Sequence, residues 1–114
     1  MPFIFGVVGA AAQGTRRSSG GGGVSYGTIT GYYNSTDSAL FCSSVGNVAV
    51  TIYYSGSGTK TFKEAYDSGS VLFSNTSLTT SASAGIYGSA DGGRGNTWVD
   101  WRPNRGGWNG TGVC

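Results

Sequence analysis

Val48-Ala49-Val50-Thr51-Ile52-Tyr53-Tyr54 is the stretch that decides the fold. Val48, Val50, Ile52 and Tyr54 alternate with Ala49, Thr51 and Tyr53, the two-residue period of a strand with one face turned to a core. Its β-branched and aromatic side chains suit a pleated, half-buried surface. Ser55-Gly56-Ser57-Gly58 follows as a turn signal, and Lys60 to Ala65 is expected to return as a hairpin partner. Upstream, Tyr26 to Tyr33 and Ala39 to Ser43 read as strands. Downstream, Asp67-Ser68-Gly69 reads as a turn and Val71-Leu72-Phe73 as a short apolar strand. Asn75 to Ser83 is a Ser/Thr-rich loop, followed by a brief strand over Ala84 to Tyr87. Asp91-Gly92-Gly93 turns into a strand over Thr97 to Trp101. The residues from Arg102 onward read as loop, closing on Val113-Cys114.

The composition agrees with many short strands. The chain has 114 residues, 22 of them glycine, and only 11% are charged while 13% are aromatic. A disordered chain needs the opposite balance, high net charge and few aromatics. The expected fold is all-β: a small β-sandwich or barrel of short antiparallel strands over residues 24–114. The net charge of +2 is too weak to imply nucleic acid as a specific partner.

Residues 1–23 read differently. Pro2 to Ala12 (PFIFGVVGAAA) is an apolar run, about half of the ~20 residues that a membrane-spanning helix needs. No basic region precedes Phe3, which argues against a secretion signal. Leaving such a run in water marks a docking surface. Phe3, Ile4, Phe5, Val7 and Val8 are therefore expected to form an assembly interface, as helix or as strand; the alternatives are a buried strand of the chain's own domain and a signal peptide with Ala10-Ala11-Ala12 as its cleavage site. Gln13 to Gly23 (QGTRRSSGGGG) has the composition of a flexible tether. Its glycine run lacks the Gly-Lys-Ser/Thr ending of a phosphate loop.

Catalytic chemistry finds little support. Histidine is absent, which removes Ser-His and Cys-His nucleophile pairs. The acids Asp37, Glu64, Asp67, Asp91 and Asp100 are scattered, mostly in turn contexts where Asp caps the local backbone. No cofactor and no metal site is expected. Cys42 and Cys114 are too far apart for a zinc motif; a disulfide and a pair of free thiols are both compatible with the sequence. The strongest binding candidate is the aromatic and basic cluster Trp98, Trp101, Arg102, Arg105 and Trp108. Aromatic faces stack on sugars or bases, and arginine stacks or forks onto anions. The alternative is that these tryptophans fill the core.

From Phe41 onward the chain resembles a small β-module that recurs in phage virion proteins and in surface proteins of the Bacteroidetes group. The stretches that carry the likeness are FCSS (41–44), VTIYYSGSG (50–58) and GSVLFSNTSLTTSASAGIYG (69–88), with a terminal cysteine. They cover about two-thirds of the chain; the Trp/Arg-rich part from Arg94 to Trp108 has no counterpart. The resemblance implies a non-enzymatic building block of a tail, fibre, baseplate or capsid surface. The expected function is thus a virion structural protein, a minor capsid, spike, fibre or decoration component. Its arm would dock into the particle and its β-domain would project outward. Its partners would be other virion structural proteins and copies of itself, a trimer among the options. Two other expectations stand beside it. One is a module that binds a host glycan or receptor through the Trp/Arg cluster. The other is a secreted bacterial surface or filament subunit, extracellular or on the cell surface, that assembles by strand donation.

Overall fold

The computed structural model describes residues 24–114; the expected arm residues Phe3, Ile4, Phe5, Val7 and Val8 lie outside them. Five strands form one antiparallel sheet in the order β2-β1-β3-β4-β5. These are β1 (Tyr26–Asn34), β2 (Val48–Ser55), β3 (Gly85–Gly88), β4 (Thr97–Arg102) and β5 (Gly107–Val113). The all-β expectation therefore holds, in the form of a single open sheet. β1 and β2 pair along their length, with Ile29 opposite Ile52. The period read from Val48–Tyr54 sets the faces. Ile52 and Tyr54 are buried, Val50 packs against the core, and Val48 remains exposed at the strand's start.

Two of the expected strands are helices. Lys60 to Ala65 does not return as a hairpin partner; Phe62–Ser68 forms α2. Thr61 and Glu64 make a reciprocal capping box. The Glu64 N–H donates to Thr61 Oγ1 at 3.1 Å and the Thr61 N–H donates to Glu64 Oε1 at 2.8 Å. Two otherwise orphaned amides are thereby satisfied at the helix start. Gly69 at φ 70° ends it, where a left-handed residue is required. Phe62 and Ala65 point into the core. The segment Ser38–Cys42 is the short helix α1, capped by Asp37, whose Oδ1 accepts from the Leu40 N–H at 2.8 Å. The C-terminal segment is also more ordered than its sequence suggested: a 3-10 turn (Pro103–Arg105) leads into β5.

The two faces of the sheet are unequal. On one, α2 and the segment from Leu72 to Ala82 close a core of Ile29, Ile52, Tyr54, Phe62, Leu72, Tyr87, Val99 and Trp101. Burial of each such side chain is worth about 1.5–3 kcal/mol. Glycines let the rings approach: a Cβ at Gly31 would lie 2.8 Å from the Phe62 ring. On the other face, Phe41 of α1 covers Gly88, where a Cβ would meet its ring at 2.5 Å. Phe41 and Ile86 are buried there, outside the main core. A disulfide between Cys42 and Cys114 ties α1 to the residue after β5, with Cα atoms 5.4 Å apart and a sequence separation of 72. Closing a loop of that length stabilises the fold by about 4 kcal/mol on the chain-entropy model.

Candidate functional site

The Trp/Arg cluster is not assembled into one platform. Trp101 is 2% exposed and belongs to the core. Its indole N–H donates to the Ala82 carbonyl at 3.1 Å. Trp108 is half-buried against the same core, edge-on to Trp101 at 4.9 Å and to Tyr66 at 5.4 Å. Its N–H is also engaged, donating to the Ser70 carbonyl at 2.9 Å. Trp98 sits three residues before Trp101, hence on the opposite face of the strand. There its ring lies over Gly112, where a Cβ would approach it to 2.5 Å. Arg102 is held by Asp100 at 2.7 Å, and Asp100 accepts a second bond from Asn109 at 2.8 Å. Arg105 is exposed in the 3-10 turn, outside that network. Two tryptophans thus fasten the segment from Ser70 to Ala82 onto β4 and β5, the structural alternative for this residue type.

Two tyrosines fasten the next residues in the same way. Tyr87 donates its hydroxyl to the Ser83 carbonyl and Tyr33 to the Ala84 carbonyl, both at 2.6 Å. Burial raises the pKa of each, and for Tyr87 the neighbouring Tyr33 raises it further. Both therefore act as neutral donors rather than as acids or bases.

The open surface lies on the other face, beside α1. A shallow groove of about 410 Å³ is lined by Thr30, Tyr32, Ala49, Thr51 and Ser89 together with the β1 and β2 backbone. Thr30 and Thr51 are cross-strand partners. The lining carries hydroxyls and small apolar groups but no charge. The signal for it was present in the sequence: Thr28, Thr30 and Tyr32 occupy the alternate positions of β1 that the core does not claim. Among the described residues, no group of three metal-ligating side chains occurs and no helix is long and apolar enough to cross a membrane.

The sheet has two edges of different character. On β2, Tyr53 exchanges both main-chain hydrogen bonds with Phe73, at 2.9 and 2.8 Å. Phe73 in turn bridges Ser81, so this edge is covered at its centre. On β5, no described residue pairs with the outer side. The Cys114 N–H donates inward to Asn96 at 2.8 Å. By the alternation of an antiparallel ladder, the N–H groups of Thr111 and Val113 then point outward. Neither Gly107–Val113 nor Val48–Ser55 contains a charged residue or proline, the usual devices that protect an edge. Comparison of the chain with protein-family models, with curated proteins and with solved structures finds no match.

Proposed function

We propose that this protein is a non-enzymatic structural component of a virion surface, a minor capsid, spike, fibre or decoration protein. Residues 1–12 dock into the particle, 13–23 tether, and 24–114 project. The observation that carries the reading is the composition of the core. Among the described residues it joins side chains of β1, β2, β3, β4, α2 and the Leu72–Ala82 segment in one apolar layer, a packed framework of the kind a projecting domain needs. The Cys42–Cys114 disulfide supports display outside a reducing cytoplasm. The likeness of residues 41–88 to a recurrent phage module points the same way. The absence of histidine from the whole chain supports a role without nucleophilic or acid-base chemistry.

A second reading, attachment to a host glycan or receptor, is favoured by the uncharged hydroxyl-lined groove of Thr30, Tyr32, Thr51 and Ser89. The two readings are compatible, since a projecting domain is well placed to touch a host. Light scattering on the full chain, next to a chain starting at Val24, tests the primary one. A defined oligomer or self-association in the first and a folded monomer in the second is the expected result. Two folded monomers that also fail to bind any other virion component would overturn it.

A further inference from the structure

The outer edge of β5 is a ready acceptor for another strand. Its outward N–H groups at Thr111 and Val113 have no partner among the described residues, and main-chain groups left to water at an edge are a template for pairing. No charge or proline guards it. The disulfide and the Trp108–Ser70 bond hold the strand rigidly from both ends, so little ordering cost remains on the acceptor side. A second feature lies at its Gly107 end. A pocket of about 290 Å³ opens between Val71, Trp101, Pro103 and Gly107, with Val71 half exposed at its rim. Strand addition draws affinity from the main chain and selectivity from such side-chain pockets.

We infer that the β5 edge receives, as a sixth antiparallel strand, the apolar segment between Phe3 and Ala12 of a second copy of this chain. The small residues at the C-terminal end of that segment, Ala10 to Ala12, then lie beside the pocket at Gly107. This deepens the proposed function and rests on its reading of residues 1–12 as an assembly device. The choice of a second copy follows from reach. The strand registers place Gly107 beyond the Asn34 end of β1, whereas Val24 precedes the Tyr26 end. Antiparallel pairing, the pattern of every other strand pair here, would bring the C-terminal end of the arm to Gly107. The way back to Val24 is then about 40 Å along the strands and about 20 Å across them. The tether, Gln13–Gly23, spans at most about 40 Å and typically about 18 Å. A chain cannot comfortably close on its own edge in that direction, but it reaches a neighbour's. Each copy then offers one donor and one acceptor, a head-to-tail arrangement that closes into a ring or extends as a filament.

The test uses the full chain with a photo-reactive residue in place of Val113. Isotope-labelled and unlabelled copies are refolded together, irradiated and digested after Arg16. Cross-links that join β5 of one isotope to residues 1–16 of the other are expected. Cross-links confined to one isotope would overturn the second copy as occupant. An oligomer that persists without any cross-link to residues 1–16 would overturn β5 as the acceptor while leaving the arm an assembly device. A monomeric full chain would overturn both. As a check by substitution, Thr111→Pro removes an outward N–H and should weaken self-association at least tenfold, while Thr111→Val, which keeps that N–H but loses the hydroxyl, should not.

Discussion

The two edges of the sheet are built from similarly uncharged strands, yet the fold treats them differently. β2 is covered at Tyr53 by Phe73, within a segment anchored through Leu72 and Ala82 in the core and through the Trp101 and Trp108 indoles. β5 is fixed at its end by the disulfide and left unpaired outside among the described residues. The difference teaches that protection at the first edge is supplied by tertiary structure and not by sequence within the strand. Opening the covering segment should make β2 resemble β5; loosening the disulfide should make β5 less able to present a straight edge.

The largest expected effect comes from the disulfide. Replacing Cys42 and Cys114 together by serine should cost about 4 kcal/mol, read from the denaturant midpoint, with fraying concentrated at β5. Leu72→Ala comes next. The side chain is fully buried, so a loss of about 3 kcal/mol is expected from transfer and cavity terms. If Phe73 detaches as a result, amide exchange at Tyr53 should rise toward the global rate. A smaller change is expected from Asn75→Ala. The Asn75 side-chain Oδ1 accepts from the Thr79 and Thr80 N–H groups at 3.0 and 3.1 Å, and its Nδ2 donates to Thr79 Oγ1 at 2.7 Å. Loss of this exposed turn network should cost about 1 kcal/mol and should not alter β5.

High pH gives the most gradual effect. The Tyr33 and Tyr87 hydroxyls have raised pKa values in the fold through burial. A group whose folded pKa is raised contributes stability that is fully present below its unfolded value, near 10 for tyrosine, and that is lost as the pH rises through the folded value. Stability should thus be insensitive to these tyrosines below about pH 10 and decline above it. Phenylalanine at both positions should flatten that decline, measured by thermal unfolding across the range.

Much of the sheet was legible in the sequence because its strands obey a period of two. β1, β2, β3 and β4 fall within one or two residues of their expected bounds. α2 was missed because seven residues give less than two turns, too few for a helical period to register. Its signal was the capping box Thr61-Phe62-Lys63-Glu64, which reads locally and needs no period. α1 was missed for the same reason of length, and its Asp37 cap was read only as a turn residue. β5 was hidden by composition: Gly-Trp-Asn-Gly-Thr-Gly-Val has the residues of a loop. Gly112 tolerates a strand there because the Trp98 ring covers the space a side chain would take. The candidate site was less legible than the fold. Spacing alone could not say that Trp98 and Trp101 occupy opposite faces until the strand itself was placed, nor that the indoles of Trp101 and Trp108 were engaged by distant carbonyls.

The most direct measurement is amide hydrogen exchange on the full chain at low and high protein concentration. The Tyr53 amide, bonded to Phe73, should be protected at both. The Thr111 and Val113 amides should exchange freely when the protein is dilute and become protected as it assembles. Protection of those two amides at every concentration, or at none despite assembly, would contradict the assignment of β5 as the edge through which the protein associates.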